Sequence, residues 1–249
     1  MINQKMKKIF LCLAVCTLAF NSCKKDDDDA VIEEPAVDMQ NSYDNEAALK
    51  YLTEHYLDAK GNIKAFSSTD ATDDNYTKLS AMNPITLPSG VIYIVRPDAQ
   101  PVSGTAIGDT DMIKLMSNTM TYVATKTDDV VAFTSGSSFK NTISGSGVPD
   151  NDPAYYYVKK SVLEKGTTDA TKQRSYYEIE GFKEALKKFT AFNLSDDSDY
   201  NLQGVIIVPS RAAFARDAHF NFTGLSYRNR SFVFNFQVYK STVRPINMD

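Results

Sequence analysis

Two segments of the chain carry apolar residues at helical spacing. In residues 46–59, Ala48, Leu52 and Tyr56 recur at every fourth position, which predicts an amphipathic helix. In residues 180–189, lysines lie on one side of the expected helix. The opposite side is apolar and consists of Phe182, Ala185, Leu186 and Phe189. The pattern therefore predicts one helix near the start of the folded part and a shorter one in its second half.

Strand patterns are more numerous than helical ones. β-branched or aromatic runs lie at residues 90–96, 112–122, 130–133 and 204–209. The strongest pattern is in residues 231–239, where Phe232, Phe234, Phe236 and Val238 alternate with Ser231, Val233, Asn235 and Gln237. Such alternation is typical of a half-buried antiparallel strand. The order of elements predicts an α+β fold, in which an antiparallel sheet wraps a short α-helix.

Two polar segments interrupt this order. Residues 67–83 are rich in Ser, Thr and Asp, which predicts a loop. Residues 135–174 are rich in Gly, Ser, Thr, Asp and Lys, and only the run Tyr-Tyr-Tyr-Val at 155–158 is apolar. This length of polar chain predicts a long loop insertion that carries one short strand of its own.

The first 22 residues have the pattern of an export signal. Three lysines precede a twelve-residue apolar stretch, residues 9–20, which is too short to span a bilayer as a helix. Ser22 followed by Cys23 resembles a bacterial lipobox, in which the cysteine becomes the first mature residue and carries acyl chains, palmitate among them. An ordinary signal peptide with an incidental cysteine is the alternative.

Residues 23–42 follow as a predicted flexible tether. Residues 26–29 are all aspartate, and such a density of like charge cannot bury a core. An acidic run behind a lipidated cysteine resembles the signal that sends Bacteroidetes-type lipoproteins to the outer face of the outer membrane. A simple solvated spacer on a periplasm-facing lipoprotein is the alternative. The folded part is then expected to comprise a helix and loop over 43–89 and a main domain over 90–241.

Composition excludes several classes of function. The formal net charge is −4 with no basic stripe, so nucleic-acid binding is not expected. Only His55 and His219 are present, and all three cysteines lie within the first 23 residues, so neither a Cys/His zinc site nor an internal disulfide of the mature chain is expected. A calcium-loop-like run at 197–201 lacks the required Gly and Glu. No nucleophile elbow or phosphate loop occurs, and no cofactor is predicted.

Five short segments resemble, in order and rough spacing, those of the FKBP family of peptidyl-prolyl isomerases. Residues 178–186, Glu-Ile-Glu-Gly-Phe-Lys-Glu-Ala-Leu, resemble the family's V-I-x-G-W/F-x-x-A-L. Residues 208–215 and 231–238 resemble its I-P-S-x-x-A-Y-G segment and its closing strand T-L-V-F-D-V-E-L. Upstream, residues 111–115 and 132–135 fit D-x-V-x-V and x-F-D-S. The resemblance covers about residues 90–240, apart from the insertion.

The resemblance implies an FKBP-like fold and a non-covalent mechanism. An aromatic pocket would hold a proline ring, desolvate the preceding amide and favour its twisted state. Phe182 would form the pocket floor, and Ile179 would supply a backbone N–H to the substrate carbonyl. The walls would be Phe133, Phe214 and Phe234. The implied partners are proline-containing polypeptide clients, with the membrane contacted through the lipid anchor.

Departures from the family pattern remove most of its polar groups. Ser117 and Phe214 stand where the family has tyrosines, Thr134 where it has aspartate, Glu178 where it has a wall valine, and Ala215 where it has glycine. Two functions remain open at this point. The chain is either a weak peptidyl-prolyl isomerase or foldase, or a non-catalytic lipoprotein that uses the degenerate cleft or the insertion to bind protein or glycan.

Overall fold

The computed structural model describes residues 34–249. The predicted signal peptide, Cys23 and most of the acidic tether lie outside the described residues. Ala36–Asp249 form one compact unit. Within the described part, no helix is long and apolar enough to cross a membrane.

A seven-stranded antiparallel sheet is the centre of the molecule. Its strands are β3 Ile85–Thr86, β4 Ile92–Val95, β6 Met112–Thr127, β7 Val130–Asn141, β8 Asp150–Asn151, β10 Gly204–Val208 and β11 Arg230–Thr242. They run in the order β3-β4-β10-β11-β6-β7, and β8 pairs with β6. Two small sheets lie beside it, formed by β1 His55–Leu57 with β2 Ile63–Ala65 and by β5 Thr105–Ala106 with β9 Thr190–Ala191. The prediction of an α+β fold with a mainly antiparallel sheet is confirmed.

The described helices are α1 Val37–Glu54, α2 Lys160–Leu163 and α3 Glu180–Leu186. Helix α1 was predicted over 46–59, but it begins in the segment predicted as tether. Its first turns are held by buried polar contacts: Gln40 donates to the Ala124 carbonyl at 3.1 Å, and Asp44 accepts from the Ser210 N–H at 2.8 Å. It ends early because the following residues pair as strand β1.

Both faces of the sheet are covered, so the prediction that β11 is half-buried is wrong. Phe232, Phe234, Phe236 and Val238 pack in the larger apolar cluster together with α3. On the other face, Val233 packs with Leu52 of α1. Two polar residues of that face are buried with partners: Asn235 donates to the Gly61 carbonyl at 2.9 Å, and Gln237 accepts from the Asn201 N–H at 2.8 Å. The Ser231 hydroxyl is buried there without a hydrogen-bond partner among the described residues.

Residues 135–174 are not a separate insertion. The first seven continue β7, and residues 155–158, predicted as a strand, form no strand. Instead, Tyr155, Tyr156 and Tyr157 join the core cluster that contains Phe182. Residues 135–141 therefore belong to the main sheet and residues 155–158 to the core, while residues 159–173 contain no buried residue.

Gly181 sets how closely α3 approaches the sheet. A Cβ atom at this position would lie 2.7 Å from Val208 Cγ1 and 2.7 Å from Val91 Cγ2. Since such contacts are far inside van der Waals distance, only glycine allows this packing. The close approach places the next residue, Phe182, directly against β11.

Candidate functional site

Helix α3 and strand β11 bring two of the predicted pocket residues into direct contact. The rings of Phe182 and Phe234 stack with centroids 4.0 Å apart and planes inclined by 18°. Phe236 meets Phe182 edge-on at 6.2 Å. Phe182 and Phe234 are both 0% exposed, so they form a closed contact rather than the floor and wall of an open pocket.

Ile179 and Phe214 belong to the same apolar cluster. Ile179 precedes α3 and is fully buried. Phe214 follows the short 3₁₀ turn Ser210–Ala212 and lies 5.8 Å from Tyr227 and 6.1 Å from Phe232. Four of the five predicted pocket residues are therefore together: Ile179, Phe182, Phe214 and Phe234.

Phe133 lies on the opposite face of the sheet. Its ring stacks on Tyr122 at 5.3 Å and meets Tyr51 of α1 at 5.9 Å. It pairs in register with Ala124, which packs beneath α1. The prediction that Phe133 is a wall of the same pocket as Phe182 is therefore wrong.

Phe139 takes the place that Phe133 was expected to fill. Its ring lies edge-on to Phe232 at 5.1 Å, to Tyr155 at 5.2 Å and to Phe222 at 5.6 Å. It sits at a register shift, where neighbouring residues of β7 pair with β6 and Phe139 itself has no partner. A bulge of this kind redirects one side chain. The only signal in the sequence is a lone phenylalanine in a Gly/Ser-rich stretch.

The chain itself occupies the predicted substrate positions. The backbone N–H of Ile179, which the resemblance assigns to the substrate carbonyl, donates to the carbonyl of Tyr155 at 2.8 Å. The Tyr155 ring, 3% exposed, lies 6.0 Å from Phe182 and 6.3 Å from Phe234. Tyr156 meets Phe182 edge-on at 6.4 Å. We call residues 153–158 the filling segment.

A buried ion cluster holds the filling segment in place. Glu178 is fully buried, and its carboxylate accepts from Arg174 at 2.9 Å, from Lys183 at 3.0 Å and from the Val158 N–H at 2.9 Å. Arg174 also donates to the Val158 carbonyl at 2.6 Å. The glutamate that departs from the family pattern thus binds both α3 and the filling segment.

Tyr157 links this cluster to the C-terminal residues. The guanidinium groups of Arg174 and Arg244 lie 4.3 Å and 4.4 Å from its ring centroid, one cation–π contact each. Arg244 in turn forms an ion pair with Asp152. Burial alone would raise the pKa of Asp152, but the hydrogen bond and charge of Arg244 hold that pKa below its ordinary value. The filling segment is therefore tied at both of its ends.

An open cavity of about 300 Å³ borders the filled cleft. Its aromatic walls are Phe139, Tyr155 and Phe222, and its polar rim includes Lys140 and Asp150. Lys140 and Asp150 form an ion pair at 3.0 Å, and the Tyr155 hydroxyl donates to Asp150 at 3.3 Å. Burial and the nearby Asp150 raise the pKa of Tyr155 well above its ordinary value, so this hydroxyl stays protonated.

Two positions that depart from the family pattern lie in the β6–β7 region. Ser117 is fully buried; its backbone N–H donates to the Thr142 hydroxyl at 2.8 Å, while its own hydroxyl has no hydrogen-bond partner in the described part of the chain. Thr134 donates to the Val123 carbonyl at 3.1 Å, within the β6–β7 hairpin. Neither places a carboxylate or phenol beside Phe182. Among residues 34–249, no group of three His, Cys, Asp or Glu side chains could hold a metal ion.

No protein-family model matches the chain, and no curated protein matches it. Among solved structures it is similar to FkpA from Escherichia coli, at 18% identity over 65% of this chain and 53% of that one, with a TM-score of 0.37. It is also similar to a peptidyl-prolyl cis-trans isomerase from Pseudomonas syringae pv. tomato, at 10% identity over 64% of this chain and 81% of that one, with a TM-score of 0.32. The chain thus spans about half the length of FkpA.

Proposed function

We propose that the chain is an FKBP-like binding module without isomerase turnover, which holds an apolar side chain of a client polypeptide in the cavity beside the filled cleft. The observation that carries this proposal is the hydrogen bond from the Ile179 N–H to the Tyr155 carbonyl. In the family this donor is offered to substrate. Here it is already satisfied by the chain, so a proline peptide has neither the donor nor the face of Phe182 to bind.

Displacing the filling segment would be costly. Its removal would expose Tyr155 and Tyr156 and leave the Glu178 carboxylate without its bond to Val158. Each large aromatic side chain moved from core to water costs about 1.5–3 kcal/mol. A substrate could enter the cleft only by displacing the filling segment, and this free-energy cost would offset much of the binding energy that the cleft provides. This supports the non-catalytic function over the isomerase.

The neighbouring cavity has the properties of a site for one apolar side chain. At about 300 Å³ it lies at the lower end of the range for ligand pockets. Aromatic walls favour a proline ring or another apolar group, while Lys140 and Asp150 can bond the polar backbone on either side. We therefore assign polypeptide clients to this cavity.

The proposal predicts that the soluble domain does not accelerate cis–trans isomerisation of a chromogenic proline tetrapeptide, and that it binds fluorescently labelled, reduced and carboxymethylated α-lactalbumin. Phe222→Ala should weaken this binding at least fivefold, because it removes one wall of the cavity. Leu225→Ala, an exposed apolar residue three positions away that does not line the cavity, is the matched control. Fluorescence anisotropy measures binding, and thermal unfolding checks that both variants fold.

Isomerisation above the uncatalysed rate would contradict the absence of turnover. Equal binding by wild type and Phe222→Ala, with both variants folded, would remove the cavity as the client site. The two parts of the proposal therefore fail separately.

We further propose that the domain is exported and anchored through a lipidated Cys23, on the outer face of the outer membrane. The support is the sequence alone: a short apolar signal, Ser22-Cys23 and the acidic residues 26–29. One acyl chain binds membranes only marginally, so stable anchoring needs the several chains that a lipoprotein cysteine carries.

The corresponding prediction is that Cys23→Ser abolishes membrane retention. In fractionated cells expressing the full chain, the variant should move to the soluble fraction, whereas Cys16→Ser, inside the signal peptide, should still pellet with membranes. Retention of Cys23→Ser after a high-salt wash would show that the lipobox assignment is wrong.

A further inference from the structure

A second cavity, of about 470 Å³, lies on the α1 side of the domain. It is formed where α1 ends, by β2 and by the chain following the 3₁₀ turn Asp73–Asn75. The lining residues that matter are Glu54, His55, Phe66, Asp74, Tyr76 and Lys78. None of them lines the cavity beside the filled cleft, so this site is independent of the proposed client site.

Aromatic rings form a platform in this cavity. Tyr76 stacks on Tyr56 with centroids 4.5 Å apart and planes inclined by 24°. The ring of Phe66 also packs against Tyr56, with the two ring centroids 4.8 Å apart. Tyr76 is nevertheless 44% exposed, so a large part of its ring remains open to a ligand. An exposed, supported ring of this kind is typical of binding surfaces.

The platform is held in position before any ligand arrives. Asp73, 4% exposed, accepts the Ser67 N–H at 2.6 Å through its carboxylate and the Tyr76 N–H at 2.9 Å through its backbone carbonyl. A bridge between Tyr56 and Lys78 closes the other side. Because the loop is already ordered, binding would not have to pay its conformational entropy.

The charges around the cavity select for a neutral ligand. The carboxylates of Glu54 and Asp74 share it with the ammonium group of Lys78, which lies 5.9 Å from the centre of the Phe66 ring. One oxygen of Glu54 is also paired with Lys50 of α1. A cation would meet Lys78, and an anion would meet the carboxylates. A wholly apolar ligand would strip water from all three charges without replacing their hydrogen bonds.

We infer that this cavity binds neutral carbohydrate. A sugar ring presents an apolar C–H face, which fits the Tyr76 platform, and hydroxyl groups, which can donate to Glu54 and Asp74 and accept from Lys78. The volume is sufficient for a short oligosaccharide rather than a single apolar side chain. This function is separate from client binding in the filled-cleft region.

The test uses maltotriose, cellotriose, mannotriose and xylotriose as probes, with saturation-transfer NMR to detect contact and titration calorimetry to measure affinity. We expect at least one trisaccharide to bind. Tyr76→Ala should weaken that binding at least tenfold, and Asp74→Asn, which leaves the rings in place, should weaken it several-fold. Phe220→Ala, an exposed aromatic on another part of the chain, should have no effect.

Three results would overturn the inference. The first is that none of the four trisaccharides binds. The second is that the folded Tyr76→Ala and Asp74→Asn variants bind sugar with the same affinity as wild type. The third is that the cavity binds choline in place of sugar. Choline binding would identify the rings as a cation cage. Circular dichroism and thermal unfolding establish that each variant is folded, so a loss of binding is not a loss of structure.

Discussion

Replacing Phe182 by alanine is expected to lower the free energy of unfolding by about 3–5 kcal/mol. The ring is fully buried and stacked on Phe234 at 4.0 Å, and Tyr155 and Tyr156 close it from the filling segment. Its removal leaves a cavity that the surrounding rings cannot fill. Urea denaturation, followed by tyrosine fluorescence or circular dichroism, measures the change.

The same site gives a sharper test in the opposite direction. The family resemblance predicts a cleft floor in which Phe182→Trp would be tolerated. The closed packing instead predicts a loss of about 1–3 kcal/mol, because the larger ring has no space. For the ring deletion Phe182→Ala, the matched control is Phe220→Ala. Because Phe220 is 42% exposed, this change should lower the free energy of unfolding by less. Full stability of Phe182→Trp would mean that the cleft is open and the filling segment is not in place.

Replacing Glu178 by alanine is expected to lower the free energy of unfolding by a similar amount, about 3–5 kcal/mol. The change leaves the cationic groups of Arg174 and Lys183 without their buried counter-charge and the Val158 N–H without its acceptor. Lys183 is the more affected, because only 13% of its side chain is exposed. Chemical denaturation of the soluble domain provides the measurement.

Glu164→Ala is the matched control for this change. Glu164 pairs with Lys160 at 3.7 Å, but the two side chains are 64% and 67% exposed, and surface pairs contribute about 0–1 kcal/mol. If Glu178→Ala proved as mild as Glu164→Ala, the ion cluster would not be what holds the filling segment. The rate of limited proteolysis within the adjoining residues 159–173 would then report whether the filling segment is also loosely held in the wild type.

The confirmed predictions rest on local sequence patterns that tertiary contacts do not override. Runs of β-branched and aromatic residues predicted strands β10 and β11. An apolar face opposite a lysine-rich face predicted α3. Gly181 inside that helix has a tertiary reason, the close approach to Val208 and Val91, which a sequence motif can indicate but cannot explain.

The limits of α1 could not be predicted in the same way. Residues 37–42 are mostly polar and follow a segment rich in acidic residues, so they resemble tether. They become helical because Gln40 and Asp44 find partners on β6 and after β10, more than eighty residues away. The end of the helix is set likewise by pairing of His55–Leu57 with Ile63–Ala65, which overrides local helical spacing.

The sequence by itself determined the class of the fold, the main strands, the short helix and the set of aromatic residues that gather in the core. Only the tertiary structure decided which face each of them occupies. Register shifts between β6 and β7 turn Phe133 towards α1 and Phe139 towards Phe234, because a shift of one residue reverses the side of the sheet. The position of the filling segment could not be predicted either. Its contacts with Ile179 and Phe182 join residues more than twenty positions apart, and its polar flanks have the composition of a loop. A cleft is a property of what remains empty after packing, and sequence patterns describe only what is buried.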